Sequence, residues 1–270
     1  MNIHTKKFWL ASITLLCSSM LFQGCGGGGS ATDTSTTTRN MSLNQAGYNA
    51  STRTYQYGYA SIPNINITGA PDDLDWSRWA MLHAGNMYRL YFFKVGSNDT
   101  LYEFGYNPRS GDYEYGYLSE PVIKITGTPA DADPTSFAML HDGSRYRLYM
   151  RSLSNPARIY QFVYNPSTQC YQYGFDGAIP RIDVTGAPAD VDWDRWGMLH
   201  DGTTYRHYAM RQGSNTQMYQ FGYNPAVQDY QFGFNSIPVL SVENMPQDSD
   251  TSNFAMLHDG TNYRFYFLKF

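Results

Sequence analysis

One phrase occurs four times in the same phase, and it limits what this chain can become more than any other feature. Trp79-Ala-Met-Leu-His83 returns as Phe137-Ala-Met-Leu-His141, Trp196-Gly-Met-Leu-His200 and Phe254-Ala-Met-Leu-His258, at steps of 58, 59 and 58 residues. A second phrase keeps step with it: Gly47-Tyr-Asn49, Gly105-Tyr-Asn-Pro108, Val163-Tyr-Asn-Pro166 and Gly222-Tyr-Asn-Pro225, each followed by an aromatic run such as Tyr55-Gln-Tyr-Gly-Tyr59 or Tyr230-Gln-Phe-Gly-Phe234. Self-similarity at a fixed period marks an architecture in which copies bury one another's apolar faces. Four units fill residues 44–270.

Within a unit, apolar and polar residues alternate with period two between turn residues, which is the pattern of strands. Trp79 to His83 reads as one strand and Tyr88 to Phe93 as the next, joined by Ala84-Gly85 or, in the other units, by Asp142-Gly143, Asp201-Gly202 and Asp259-Gly260. Leu101 to Asn107 and Asp112 to Tyr117 form a second hairpin, so each unit is expected to supply four strands. In Tyr55-Gln-Tyr-Gly-Tyr59 the alternation sends three tyrosines to one face. A single sheet cannot cover both of its faces, so the units must stack. The first unit begins with a second hairpin and the last ends with a first hairpin, and an open stack would expose both halves. The expected fold is therefore all-β: a four-bladed β-propeller of four-stranded antiparallel blades, closed by pairing the N-terminal and C-terminal half-blades.

Residues 1–25 differ in character. Lys6 and Lys7 precede an apolar run from Phe8 to Phe22 that is too short and too polar for a comfortable membrane span, the signature of a signal peptide. Gly24-Cys25 resembles the lipobox of bacterial lipoproteins, in which the thiol is diacylated, although Phe22 and Gln23 depart from that motif. Cys25 is the lipidation candidate, and ordinary secretion is the alternative. The absence of Asp after Cys25 resembles the sorting signal for the outer membrane. Residues 26–43, rich in Gly, Ser and Thr, read as a flexible tether. Cys17 falls in the signal segment, which leaves Cys170 without a partner and the domain without a disulfide framework. The net charge of -4 offers no basic footprint, so nucleic acid is excluded as a partner.

The linkers carry a family resemblance. They read Ile67-Thr-Gly-Ala-Pro71-Asp-Asp73-Leu-Asp75, Ile125-Thr-Gly-Thr-Pro129-Ala-Asp131-Ala-Asp133, Val184-Thr-Gly-Ala-Pro188-Ala-Asp190-Val-Asp192 and Val242-Glu-Asn-Met-Pro246-Gln-Asp248-Ser-Asp250, with Ile62-Pro63, Ile179-Pro180 and Ile237-Pro238 upstream. This resembles the hemopexin-like four-bladed propeller. The departures are longer units, three residues between the second Asp and the aromatic, and no end-to-end disulfide. The resemblance implies a binding disc whose central tunnel holds ions.

Asp75, Asp133, Asp192 and Asp250 are accordingly the candidate ligands of a tunnel Ca2+, a hard cation that takes several oxygens. The competing reading is that each Asp satisfies backbone N–H groups of its own turn. His83, His141, His200 and His258 could form a metal ring only if all four converged, and structural repetition explains them better. Arg89, Arg147, Arg206 and Arg264, each in Tyr-Arg-x-Tyr, are read as guanidiniums stacked among aromatic rings. Trp76 and Trp193, beside the Asp pairs, are the candidate ligand-binding residues, because exposed indoles stack on sugar rings.

No Gly-x-Ser-x-Gly, His-Glu-x-x-His, Cys-x-x-Cys or phosphate-binding loop occurs, and the reactive residue types recur in every unit. No catalytic residue is assigned. An enzyme would require one unit to break the symmetry with a deep pocket and a perturbed carboxylate. The sequence thus points to a surface lipoprotein acting as a non-catalytic binding module for a protein or small ligand and meeting the membrane through its lipid anchor. The alternatives are a glycan-binding lectin or adhesin, or a structural envelope component.

Overall fold

The computed structural model describes residues 41–269. The signal peptide, Cys25 and most of the tether lie outside the described residues. Strands β1 (Ser42–Asn49), β2 (Thr54–Tyr57) and β3 (Asn64–Thr68) come first. Three sets of five follow: β4 (Leu74–Ala84), β5 (Met87–Lys94), β6 (Thr100–Asn107), β7 (Asp112–Tyr115) and β8 (Val122–Thr126); β9 (Ala132–His141), β10 (Tyr146–Ser152), β11 (Arg158–Asn165), β12 (Cys170–Tyr173) and β13 (Arg181–Thr185); β14 (Val191–His200), β15 (Tyr205–Arg211), β16 (Gln217–Asn224), β17 (Asp229–Phe232) and β18 (Val239–Glu243). Last are β19 (Ser249–His258) and β20 (Tyr263–Lys269).

Each repeat contributes five strands where the alternation alone predicts four. In the first full set, β4, β5 and β6 form an antiparallel meander, and β7 and β8 divide the outer edge of β6 between them, on Phe104–Asn107 and Thr100–Tyr102. The fifth strand is the linker itself. Lys124, Ile125 and Thr126 of β8 pair in parallel with Cys170, Tyr171 and Gln172 of β12 in the next group. The same link joins β3 to β7, β13 to β17 and β18 to β2, so hydrogen bonds run around the whole ring. The ends meet within one group: β1 pairs with β20 across Gln45↔Tyr266 and Ala46↔Phe265, and β19 completes the set.

The innermost strands, β4, β9, β14 and β19, adjoin one another around the axis. Every one of them slips register between the linker Asp and the aromatic, so that Trp76-Ser77-Arg78 and the corresponding triplets bulge out of the ladder. The three residues that separate Asp from the aromatic therefore have a structural role, since a bulge bends and twists a strand. Four hydrophobic cores fill the spaces between neighbouring groups; one joins Phe93 and Leu101 to Phe137, Met150 and Phe162, for example. Trp79, Trp196, Tyr55, Tyr113, Tyr171 and Tyr230 are fully buried there, each contributing on the order of 2–3 kcal/mol.

The aromatic runs depart from simple alternation. Strand β2 ends at Tyr57, Gly58 turns with φ +69°, and Tyr59 is 42% exposed instead of sharing the buried face with Tyr55. Gly47, Gly105 and Gly222 stand where a Cβ would lie 2.0–2.1 Å from the carbonyl oxygens of Tyr59, Tyr117 and Phe234. The third repeat has Val163 at that position, and its chain detours through a 3₁₀ turn at Phe175–Gly177 with one extra residue. The single 59-residue step is the trace of that detour. Cys170 is a buried free thiol.

Candidate functional site

A cleft opens at each junction between neighbouring groups, and all four clefts are assembled from the same repeat positions. Their volumes are about 370, 270, 340 and 310 Å3 for the clefts at Arg89, Arg147, Arg206 and Arg264. Arginine and tyrosine two residues apart, such as Arg89 and Tyr91, share one face of the second strand. The antiparallel register sets a third side chain opposite that tyrosine: Tyr91↔Glu103, Tyr149↔Gln161, Tyr208↔Gln220 and Tyr266↔Gln45. The next group supplies three more tyrosines. In the Arg89 cleft these are Tyr146, Tyr164 and Tyr171. Their rings meet tilted or edge to face at 5.5–6.1 Å, and the other trios repeat that geometry.

Arg206 and Arg264 are held at both ends, and Arg147 by its hairpin aspartate. Arg206 Nε donates to Asp201 at 3.2 Å while its Nη1 donates to the Asn235 carbonyl at 3.2 Å. Arg264 bonds Asp259 at 3.1 Å and the Ala60 carbonyl, and Arg147 bonds Asp142 at 2.6 Å. The same carboxylates receive tyrosine hydroxyls from the adjacent group, Tyr205 onto Asp142 and Tyr263 onto Asp201, both at 3.1 Å. Although burial pushes Asp201 and Asp259 up, hydroxyl and backbone N–H donors of their own turns and the arginines pull each down to about 2. With its amide oriented to satisfy both ends, Gln220 accepts from Arg206 and Tyr208 at 3.1 Å and donates to the Ile237 carbonyl at 2.9 Å. Gln161 donates to the matching Ile179 carbonyl at 3.2 Å.

The Arg89 cleft departs from this scheme at three repeat positions. Ala84 stands where the others have Asp142, Asp201 and Asp259; Glu103 replaces Gln; and Glu120 replaces Ile62, Ile179 and Ile237 in the wall. Arg89 turns to Glu103 at 3.0 Å and to the carbonyls of Tyr117 and Leu118. Burial raises Glu103 to about 7; Arg89 and the Tyr91 hydroxyl oppose the rise and Glu120 adds to it. The hydroxyls of Ser119, in this cleft, and Ser236, in the Arg206 cleft, are buried without a hydrogen-bond partner.

The four histidines gather at the mouth of the axis, around a space of only about 10 Å3. Each imidazole packs at a tilt against its own hairpin tyrosine, Tyr88, Tyr146, Tyr205 or Tyr263, at 4.4–4.7 Å, and so lies behind a cleft wall. Burial lowers the pKa of His83, His141 and His200. The linker carboxylates lie at the opposite ends of the inner strands. Asp75 accepts from Ser77 and Arg78, Asp133 from Thr135 and Arg151, Asp192 from Asp194 and Arg195, and Asp250 from Ser252. Among the described residues, no group of three His, Cys, Asp or Glu side chains is placed to hold a metal ion. The preceding aspartates pin the third strand, with Tyr102, Tyr160 and Tyr219 each donating at 2.7 Å to Asp73, Asp131 and Asp190.

Trp76 packs edge-on against Phe92 at 5.2 Å and Trp193 stacks on Phe221 at 6.2 Å; neither lines any of the four clefts. The arginines, read from sequence as packing residues, are instead the polar centres of the clefts. The available signal was Tyr-Arg-x-Tyr recurring in phase with Gln or Glu before the Gly-Tyr-Asn phrase, which becomes a site only once the register brings the two strands together.

No family model matches the chain, and no curated protein matches it. Among solved structures it resembles the fucose-specific lectin from Aleuria aurantia (15% identity, TM-score 0.31, covering 67% of this chain and 50% of that one) and a mutant of that lectin in complex with Fucα1-6GlcNAc (16%, 0.32, 67% and 51%). It also resembles AofleA from Arthrobotrys oligospora (12%, 0.33, 79% and 60%). The chain spans about half the length of the Aleuria structures. These likenesses go no further than an all-β, propeller-like ring of strands and carry no information on what fills the clefts.

Proposed function

We propose that the chain is a non-catalytic carbohydrate-binding protein built as a four-bladed propeller, with one sugar-sized pocket between each pair of blades. The observation that carries this reading is the fourfold recurrence of a cleft of about 300 Å3 combining a fixed guanidinium, a facing amide or carboxylate and four tyrosines. A sugar ring presents hydroxyls that both donate and accept, together with an apolar C–H face; the polar pair suits the first and the tyrosine rings the second. Orphaned hydroxyls such as Ser236 Oγ add unsatisfied polar atoms that a ligand hydroxyl would meet.

Repetition argues for binding over turnover, because four copies of one constellation leave little of the asymmetry that a reaction needs. Among the described residues Glu103 is the one strongly raised carboxylate, and Arg89 already holds it, so it is not free to protonate a leaving group. The hemopexin-like phrase of the linkers is read as a trait of the fold, with its aspartates serving the turns. The anchor at Cys25 would hold such a ring at the cell envelope, facing outward from the outer membrane.

A glycan array probed with the purified mature protein, followed by calorimetry on the best monosaccharide, tests the reading. The expected result is millimolar-or-better binding with up to four sites per chain, reduced by one in Arg206→Ala. A blank array from folded protein overturns it.

A further inference from the structure

Three of the four clefts balance their arginine with a hairpin aspartate, outside the lining for Asp142 and Asp201 and at the lining for Asp259. The cleft at Arg89 does not: its balancing carboxylate, Glu103, has moved into the cavity, and a second carboxylate, Glu120, stands where the other repeats have isoleucine. We propose that this cleft takes a ligand bearing an ammonium group, in the first instance an amino sugar, whereas the other three take neutral sugars. The inference rests on the carbohydrate reading for the shape of its ligand, but its charge argument is independent of it.

The lining charges decide the matter. Two carboxylates and one guanidinium face the Arg89 cleft, while the Arg206 cleft shows Arg206 alone, the Arg147 cleft Arg147 and Arg145, and the Arg264 cleft Arg264 with Asp259. The ion pair of Arg89 with Glu103 leaves Glu120 in excess; it accepts from the neutral Gln169 amide at 3.2 Å. An ammonium seated between Glu103 and Glu120 would donate charge-assisted hydrogen bonds to both carboxylates and face the rings of Tyr146 and Tyr164, each attractive to a cation. Ser119 Oγ, buried and without a partner, supplies a further acceptor at the same wall.

Proton competition gives the pocket a second signature. Glu103 is raised to about 7 by burial, with Arg89 and Tyr91 on its own sheet opposing and Glu120 adding to the rise; the phenols of Tyr164 and Tyr171 face it from the next group. A bound cation favours the carboxylate, so a proton competes with the ligand and affinity falls as pH drops below about 7.

The test is calorimetric titration at pH 7.5 with glucosamine, 6-amino-6-deoxyglucose and glucose. The expected result is one site per chain that prefers the amino sugars by about tenfold or more. That preference should disappear in Glu103→Gln, shrink in the exposed variant Glu120→Ile, and weaken in the wild type at pH 5.5. Thermal melting shows whether Glu103→Gln is folded, and Glu120→Ile restores a residue that three repeats already carry. Glucose bound without any amino-sugar preference, or a preference that neither substitution alters, overturns the inference and leaves the carbohydrate reading standing. Amino sugars bound at one site with no neutral sugar bound anywhere overturns the assignment of sugars to the other three clefts and keeps the ammonium site at Arg89. Folded protein that binds none of the three overturns both.

Discussion

Gln45 lies directly opposite Tyr266 across the β1–β20 ladder, with its side-chain amide on the Tyr266 hydroxyl, although 221 residues separate them. The pairing joins the two ends of the described chain inside one sheet, and the same two side chains line the Arg264 cleft beside its guanidinium. Closure of the ring and completion of that site are therefore one event. Tyr266→Ala removes a fully buried ring and is expected to cost about 3–5 kcal/mol in urea unfolding. It should also empty the Arg264 cleft; wild-type stability in the variant would disprove the closure.

Gly105 tolerates no side chain, because a Cβ would meet the Tyr117 carbonyl at 2.1 Å. Gly105→Val should destabilise by about 2–3 kcal/mol or more, since backbone must move. The reverse change, Val163→Gly, meets no such barrier, because the 3₁₀ detour is already in place. Paired denaturation curves for the two variants separate this steric account from a general loss of strand propensity.

His207 occupies a core position filled by Leu90, Leu148 and Phe265 elsewhere, stacked on Trp196 at 5.4 Å, and neither ring nitrogen has a partner. Burial, reinforced by Arg151, lowers its pKa to about 3, below the ~6.5 of an unfolded histidine. A depressed histidine pKa means that the unfolded chain binds the proton first, so the stabilisation is intact above about 6.5 and is lost as pH falls toward 3. The expected loss between pH 7 and 3 is about 4 kcal/mol. His207→Leu should flatten that dependence; an unchanged acid slope would place the effect in other groups.

Asp201 holds Arg206 and receives the Tyr263 hydroxyl, so it positions one cleft from behind without entering it. Asp201→Asn is expected to weaken sugar binding at that cleft by about tenfold and to leave the other three unchanged. Calorimetric stoichiometry for a neutral sugar falling by one strong site is the readout.

Trp76 and Trp193 pack onto Phe92 and Phe221 away from the clefts. Alanine at either position should lower the melting temperature while sugar affinity stays within about twofold. A selective loss of binding without destabilisation would return the indoles to the site.

Much of the ring was legible in the repeats. Asp142-Gly143 and its equivalents marked the hairpins, and the half-units at either end anticipated the β1–β20 pairing. The fifth strand was not, because Val122–Thr126 pairs along only part of β6 and with a different repeat, a contact that no local alternation encodes. The clefts were illegible for a related reason. Arg89 and Glu103 are fourteen residues apart, and only the register Tyr91↔Glu103 brings them to one face. Trp76 and Trp193 read as exposed because each stands between polar residues, whereas each is half-buried against an aromatic neighbour.

Each cleft is lined by the tyrosine of a histidine-bearing hairpin, and those hairpins gather at one mouth of the ring. A single chain would then meet a carpet of glycans as a cluster of footholds at fixed spacing, in which release of one leaves the rest engaged. Residence on such a carpet would outlast any individual contact by orders of magnitude, through effective concentration alone. One differently charged foothold among the four would make that grip responsive to the composition and acidity of the carpet.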